Sequence, residues 1–194
     1  MDDGGLRGAM VRPDRVDHPR PAWLAIKMVV YAVSFLAFIL VGVPYAFHYL
    51  GKAAYPEYLH ERLRPALPQH VVGAVIFAIG LIGYLVSSLW LVIVGKGPFV
   101  EFDPPKEFVA TGPYRWTRNP VAMMLLMTVL GEAVFFGSPG IFTLFVLGIP
   151  LAQLQVVCVE EPRLRSRFGE SYIEYCRTVP RWLPRPPNRH SADK

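Results

Sequence analysis

Charge and cysteine are scarce in this sequence. Only 18% of its 194 residues are charged, and only two, Cys158 and Cys176, are cysteines. Two cysteines exclude a scaffold built on disulfides. The low charge, set against 53% hydrophobic residues, excludes a disordered chain. Neither cysteine sits at a metal-ligand spacing, so both read as apolar packing residues and no metal site is expected. A net charge of +5 would suit nucleic acid, but no basic stripe interleaved with aromatics is present, and that partner is excluded. Internal repeats and low-complexity segments are also missing.

What is abundant is uninterrupted apolar sequence. Blocks run from about 22 to 45, with Lys27 as the single charge, and from 71 to 94 with none. A third, 121–136, carries only Glu132, and a fourth, 141–159, is uncharged. A helix rising ~1.5 Å per residue needs about 20 apolar residues to cross the hydrocarbon core. Three blocks meet that length, and the third falls short at 16 residues. The expected fold is therefore an all-α membrane protein, a single integral domain over 1–194. It would have four transmembrane helices and a C-terminal amphipathic helix on the cytoplasmic side. The first block is too long in its apolar part for a cleaved signal peptide and reads as a retained span. Gly137-Ser138-Pro139-Gly140 is a tight turn that would fold blocks three and four into a helical hairpin. Pro44 and Pro150 are expected to kink or end their helices. Trp23, Tyr45, Tyr49 and Trp90 lie near span ends, where interfacial aromatics gather.

Of the 20 Lys and Arg residues, 17 fall in the N-terminal segment, the 95–119 loop and the tail from Glu160, which alternation puts on one side. The positive-inside rule makes that side cytoplasmic, with both termini and the central loop. It also leaves Cys158 and Cys176 at a reducing surface. In the tail, Leu164, Phe168, Tyr172, Tyr175 and Val179 recur at helical spacing opposite Arg163, Arg165, Arg167 and Arg177, which reads as a basic amphipathic helix. Glu160 and Glu161 stand together at a span boundary, where unpaired charge is costly, and Arg115 and Arg118 are available partners. Asn119 is a plausible N-cap and Pro120 suits the first turn of the third span. Glu132 is a functional candidate because it is an acid inside a span, or it snorkels to the interface five residues away. Met123, Met124 and Met127 either pack between helices or line a lipid-like tunnel.

Gly95-x-Gly97, Asp103-Pro-Pro and Gly112-Pro-Tyr-Arg-x-x-Arg-Asn-Pro120 resemble the signature of membrane-embedded isoprenylcysteine carboxyl methyltransferases. So does Glu160-Glu161-x-x-Leu164-x-x-x-Phe168-Gly169-x-x-Tyr172-x-x-Tyr175-x-x-x-Val179, closing on Arg181-Trp-Leu-Pro184. Phosphatidylethanolamine N-methyltransferases share the Gly-x-Gly and Glu-Glu elements. The resemblance spans about 95–184. It departs from the family where His often precedes the proline and this chain has Asn119, and where Tyr often stands and this chain has Ala122. It implies an S-adenosylmethionine cofactor and a lipophilic or amphiphilic acceptor with a carboxylate, thiol or amine group. Tested against that ligand, Arg118 and the N–H groups opening the third span suit its carboxylate. Glu160 or Glu161 suits its ammonium or orients Arg118. Gly95, Gly97 and Gly112 allow close backbone approach, and Tyr114 or Trp116 stacks on adenine or faces the sulfonium. Asn119 completes the cofactor set, and Arg118, Glu160 and Glu161 are the catalytic candidates. None of the five histidines falls in the motifs, which favours an acceptor that arrives ionised. Sterol reductases resemble the same C-terminal architecture and take a nicotinamide cofactor. A scaffold that has lost its chemistry is a third reading.

Overall fold

The structure is a computed structural model, described here for residues 21–96 and 107–186. Gly97 and Asp103-Pro-Pro lie outside the described residues, as do the basic residues of the extreme termini. Every regular element among the described residues is helical. Helices α1 (Pro21–Ala37) and α2 (Val43–Ala54) are joined end to end by a π turn, Phe38–Gly42. A short α3 (Glu57–Arg62) leads to the long α4 (Leu67–Gly95). A 3₁₀ turn at Gly112–Arg115 precedes α5 (Pro120–Phe136) and α6 (Pro139–Gln155). A second π turn, Val156–Glu160, connects α6 to α7 (Glu161–Phe168), and α8 (Glu170–Thr178) ends the helical part.

Three helical runs are long and apolar enough to cross a membrane: Val29–Ala54, Leu67–Gly95 and Pro139–Phe168. Pro120–Phe136 is apolar but shorter, at 17 residues. Its ends match the third block of the sequence closely. The polarity of the packing is that of a protein in lipid. Ile82, Ile93 and Leu151 are 62%, 72% and 63% exposed, whereas Thr128, Ser87 and Ser88 are almost wholly buried. Contiguous apolar surface of this extent needs an apolar neighbour.

With little hydrophobic drive between helices in lipid, close backbone contact has to hold them together. Helices α4 and α5 achieve it through glycine. A Cβ on Gly80 would lie 2.6 Å from the Thr128 backbone nitrogen, and one on Gly131 would run into the backbone of Phe77. Thr128, pressed into that crossing, returns its hydroxyl to the Met124 carbonyl at 2.8 Å.

Two local expectations, the turn and the tail helix, are revised, and the two prolines are placed. The α5–α6 turn is shorter than four residues, because Gly137 in a left-handed conformation (φ 55°) ends α5 and Ser138 already caps α6, accepting from the Ile141 N–H. Pro150 sits inside α6 without ending it. Pro44 stands in the first turn of α2, directly after the π turn Phe38–Gly42. A π turn carries an extra residue, which accommodates a ring that would strike the carbonyl four residues back. The tail is two short helices instead of one. Gly169, at φ 54°, breaks it, although the expected pattern holds: Tyr172 and Tyr175 are buried while Arg163, Arg165, Arg167 and Arg177 are exposed.

Overpacking a helix crossing of this kind costs about 1–3 kcal/mol. Gly80→Leu should therefore lower the thermal unfolding midpoint in detergent, whereas Ile82→Leu on the outer face should leave it unchanged.

Candidate functional site

The site forms where the loop before α5 meets the segment after α8. These stretches are about 60 residues apart in sequence and are joined mainly through backbone groups. The Arg118 N–H donates to the Pro180 carbonyl at 2.9 Å and the Arg185 N–H donates to the Trp116 carbonyl at 3.1 Å. The Arg181 carbonyl accepts from both Thr117 Oγ1 and Asn119 Nδ2 at 3.0 Å. Asn119 does occupy the position before α5, but its side chain is committed to this cross-link and makes no capping bond. Tyr175 adds a hydroxyl bond to the Tyr114 carbonyl at 2.7 Å, and Trp182 Nε1 donates to Gln153 Oε1 at 2.6 Å. Phe108 packs against Phe168, Tyr172 and Tyr175 with ring centroids 5.2–6.2 Å apart.

Held in this frame is a carboxylate between two guanidiniums. Glu161, 6% exposed, accepts from Arg181 Nε at 2.7 Å and Nη2 at 3.0 Å, a bidentate pair, and from Arg118 Nη1 at 3.0 Å. Arg118 Nη1 also contacts Cys176 Sγ at 2.9 Å. Burial gives these charge-assisted bonds their strength, and removing one partner leaves the others uncompensated. The Glu161 contact lifts the Arg181 pKa beyond its already high ordinary value. The clamp holds two positive charges against one negative. Its surplus is directed by Arg118, whose Nε is buried without a hydrogen-bond partner.

Arg118 lines a cavity together with Tyr114, Asn119, Glu160, Glu161 and Tyr172. Glu160 differs from its neighbour: it accepts a long bond, 3.4 Å, from Gln155 Nε2 and forms no salt bridge among the described residues, with Arg163 acting on it only at longer range. The cavity wall thus holds the Arg118 guanidinium together with a carboxyl that forms no ion pair among the described residues. Burial pushes the Tyr172 and Tyr175 phenols above their ordinary pKa, so both stay protonated near neutral pH.

Five of the described candidates, Tyr114, Arg118, Asn119, Glu160 and Glu161, therefore meet in one place. Three do not line it. Gly95 ends α4 and its carbonyl accepts from Glu107 N–H at 3.0 Å. Gly112, at φ 58°, is packed against the Trp90 indole. Trp116 is 47% exposed and contributes its carbonyl to the cross-link. Sequence reasoning gave Arg181 no role, although it opens the Arg-Trp-Leu-Pro element, and treated Cys176, Tyr172 and Tyr175 only as packing residues. Glu161→Gln should lower the unfolding midpoint by the equivalent of about 3 kcal/mol, the low end for breaking a buried pair. Glu160→Gln should change it little. Thermal scans of both variants in one detergent check this.

Comparison with known proteins bears on the stretch of chain that carries these residues. A family model described as phospholipid methyltransferase matches residues 68–171, more than half of the chain, taking in nearly all of α4 and the whole of α5, α6 and α7. The cobalt-zinc-cadmium resistance protein CzcN of Cupriavidus metallidurans is 26% identical over 117 residues, 59% of this chain and 51% of that protein. The chain thus spans about half the length of that relative. No solved structure gives a significant match. With the matched stretch containing Tyr114, Arg118, Glu160 and Glu161, the chain belongs to the phospholipid methyltransferase family.

Proposed function

We propose that this chain is an integral membrane methyltransferase that uses S-adenosylmethionine and acts on a lipophilic acceptor. The observation that carries the reading is Arg118, which lines the cavity while its guanidinium is fixed by Glu161. The amino-acid end of the cofactor is a zwitterion, and the cavity is complementary to it. The clamp's surplus positive charge suits a carboxylate. Glu160, in no salt bridge among the described residues, suits an ammonium. Between the two glutamates, Glu161 is the positioning residue and Glu160 the ligand-facing one. Tyr114, which lines the cavity while Trp116 does not, is the aromatic wall for the adenine or sulfonium.

Bound there, S-adenosylmethionine supplies an electrophilic methyl group. The chain's own contribution is alignment and the exclusion of water. The packed ring cluster of Phe108, Phe168, Tyr172 and Tyr175 closes one side of the site. Among the described residues no histidine lines the cavity, and the Tyr172 and Tyr175 phenols are held protonated. An acceptor that arrives as a carboxylate or thiolate needs no base and fits best. An amine acceptor would have to pass its proton to Glu160. In this reading Pro120–Phe136, about 26 Å long, serves as a fourth span. The distribution of Lys and Arg puts the site and both termini on the cytoplasmic side.

The test is calorimetric titration of the detergent-purified protein with S-adenosylmethionine, S-adenosylhomocysteine and NADPH. The wild type should bind both adenosyl ligands and not NADPH. Losing a charged hydrogen bond worth ~1.5–3 kcal/mol predicts roughly 10- to 150-fold weaker binding for Arg118→Ala. Glu160→Gln should weaken it too, without the loss of stability expected of Glu161→Gln. A folded wild type that binds NADPH alone would overturn the reading in favour of a reductase.

A further inference from the structure

A second cavity lies at the other end of α5, about 18 Å along the helix from Pro120 to Glu132. It has a volume of about 600 Å³ and sits between the α1–α2 junction, α4, α5 and the start of α6. Leu40, Pro44, Phe77 and Phe135 are among its walls, and almost all of its surface is apolar. It opens sideways past Val41 and Tyr45, which are 65% and 69% exposed. That opening faces the bilayer.

Glu132 is on the wall of this cavity, and it does not snorkel. It is 6% exposed, and its Oε2 is buried with no hydrogen-bond partner. His48, on the same wall, bonds Ser138 Oγ through Nδ1 at 2.8 Å and makes no hydrogen bond to Glu132. An unpartnered carboxyl in an apolar cavity is destabilising in either protonation state. Hydrocarbon chains from the bilayer could fill the space but would bring no donor. The volume is that of an ordinary small-molecule site.

From these observations we infer that the cavity is a binding site for an amphiphile with a hydrocarbon chain and a primary amine head, the amine pairing with Glu132. Amine and carboxyl share one proton between them, as acid plus free amine or as ion pair, so the complex brings no net charge into the membrane. An alcohol offers a single hydrogen bond and no charge. A quaternary ammonium offers charge and no N–H. The site is separate from the cavity around Arg118 and does not depend on what that cavity binds.

The experiment uses the full chain in nanodiscs with a long-chain primary amine bearing a photoreactive diazirine on its chain. Labelled peptides are read by mass spectrometry. Labelling should concentrate on segments containing Phe77 and Phe135. It should be displaced by unlabelled dodecylamine at concentrations at least tenfold below those needed for dodecanol or dodecyltrimethylammonium. Glu132→Gln should reduce labelling about tenfold or more. Ala74→Phe, which fills the cavity and leaves Glu132 in place, should do the same, and it decides the matter if the Gln variant does not fold. Equal displacement by the alcohol, or labelling unchanged in the folded variants, would overturn the assignment.

Discussion

Everything around the candidate site depends on one buried carboxylate shared by two arginines. Glu161 opens α7, the final part of the last long helical run, Arg118 belongs to the loop before α5, and Arg181 to the segment after α8. These three pieces of chain have no continuous secondary structure in common. The ion pairs, together with the backbone bonds from Arg118 to Pro180 and from Arg185 to Trp116, hold them in register. A neutral version of the junction could pack as well, since buried pairs often add little net stability over apolar isosteres. What the charged version adds is position: it holds the Arg118 guanidinium at the wall of a cavity and keeps it there.

The helical scaffold follows from a different constraint, that of lipid as solvent. Large aliphatic side chains face outward and small or hydroxylated ones face inward, with glycine at the α4–α5 crossing. The outward residues stabilise the protein where it sits, and the inward ones let backbones approach closely enough for dispersion to act over a large area. Two arginines allow an acid such as Glu161 to be retained in that interior.

Much of this was legible in the sequence, because apolar runs and span-edge charges act locally. The extents of α4 and α5, the hairpin into α6 and the exposure of the tail arginines all come from patterns within one stretch of chain. The convergence of Tyr114, Arg118, Asn119 and the Glu160–Glu161 pair was legible only through motif resemblance, since no periodicity joins a loop to a helix 40 residues away. What could not be read shares one cause, dependence on distant backbone. Asn119 has the identity of a cap, yet a carbonyl 62 residues on is the better partner. Arg181 stood in the sequence only as the opening of the Arg-Trp-Leu-Pro element, and the path of the chain lays it on Glu161. Glu132 looked able to reach an interface, but where α2 comes to lie against α6 decides that it faces a cleft. The division of labour between the two adjacent glutamates belongs in the same group, because it is a matter of angle around a helix axis.

That angle is set by the π turn Val156–Glu160. One extra residue in a turn advances every later side chain by one position, about 100° around the axis, relative to an unbroken α-helix. Glu161 therefore occupies the azimuth that Glu160 would hold if α6 simply continued. The wide turn works as a phase adjuster. It lets the span above be fitted to the bilayer and the helix below be fitted to two arginines, although both are wound on a single continuous spiral of backbone.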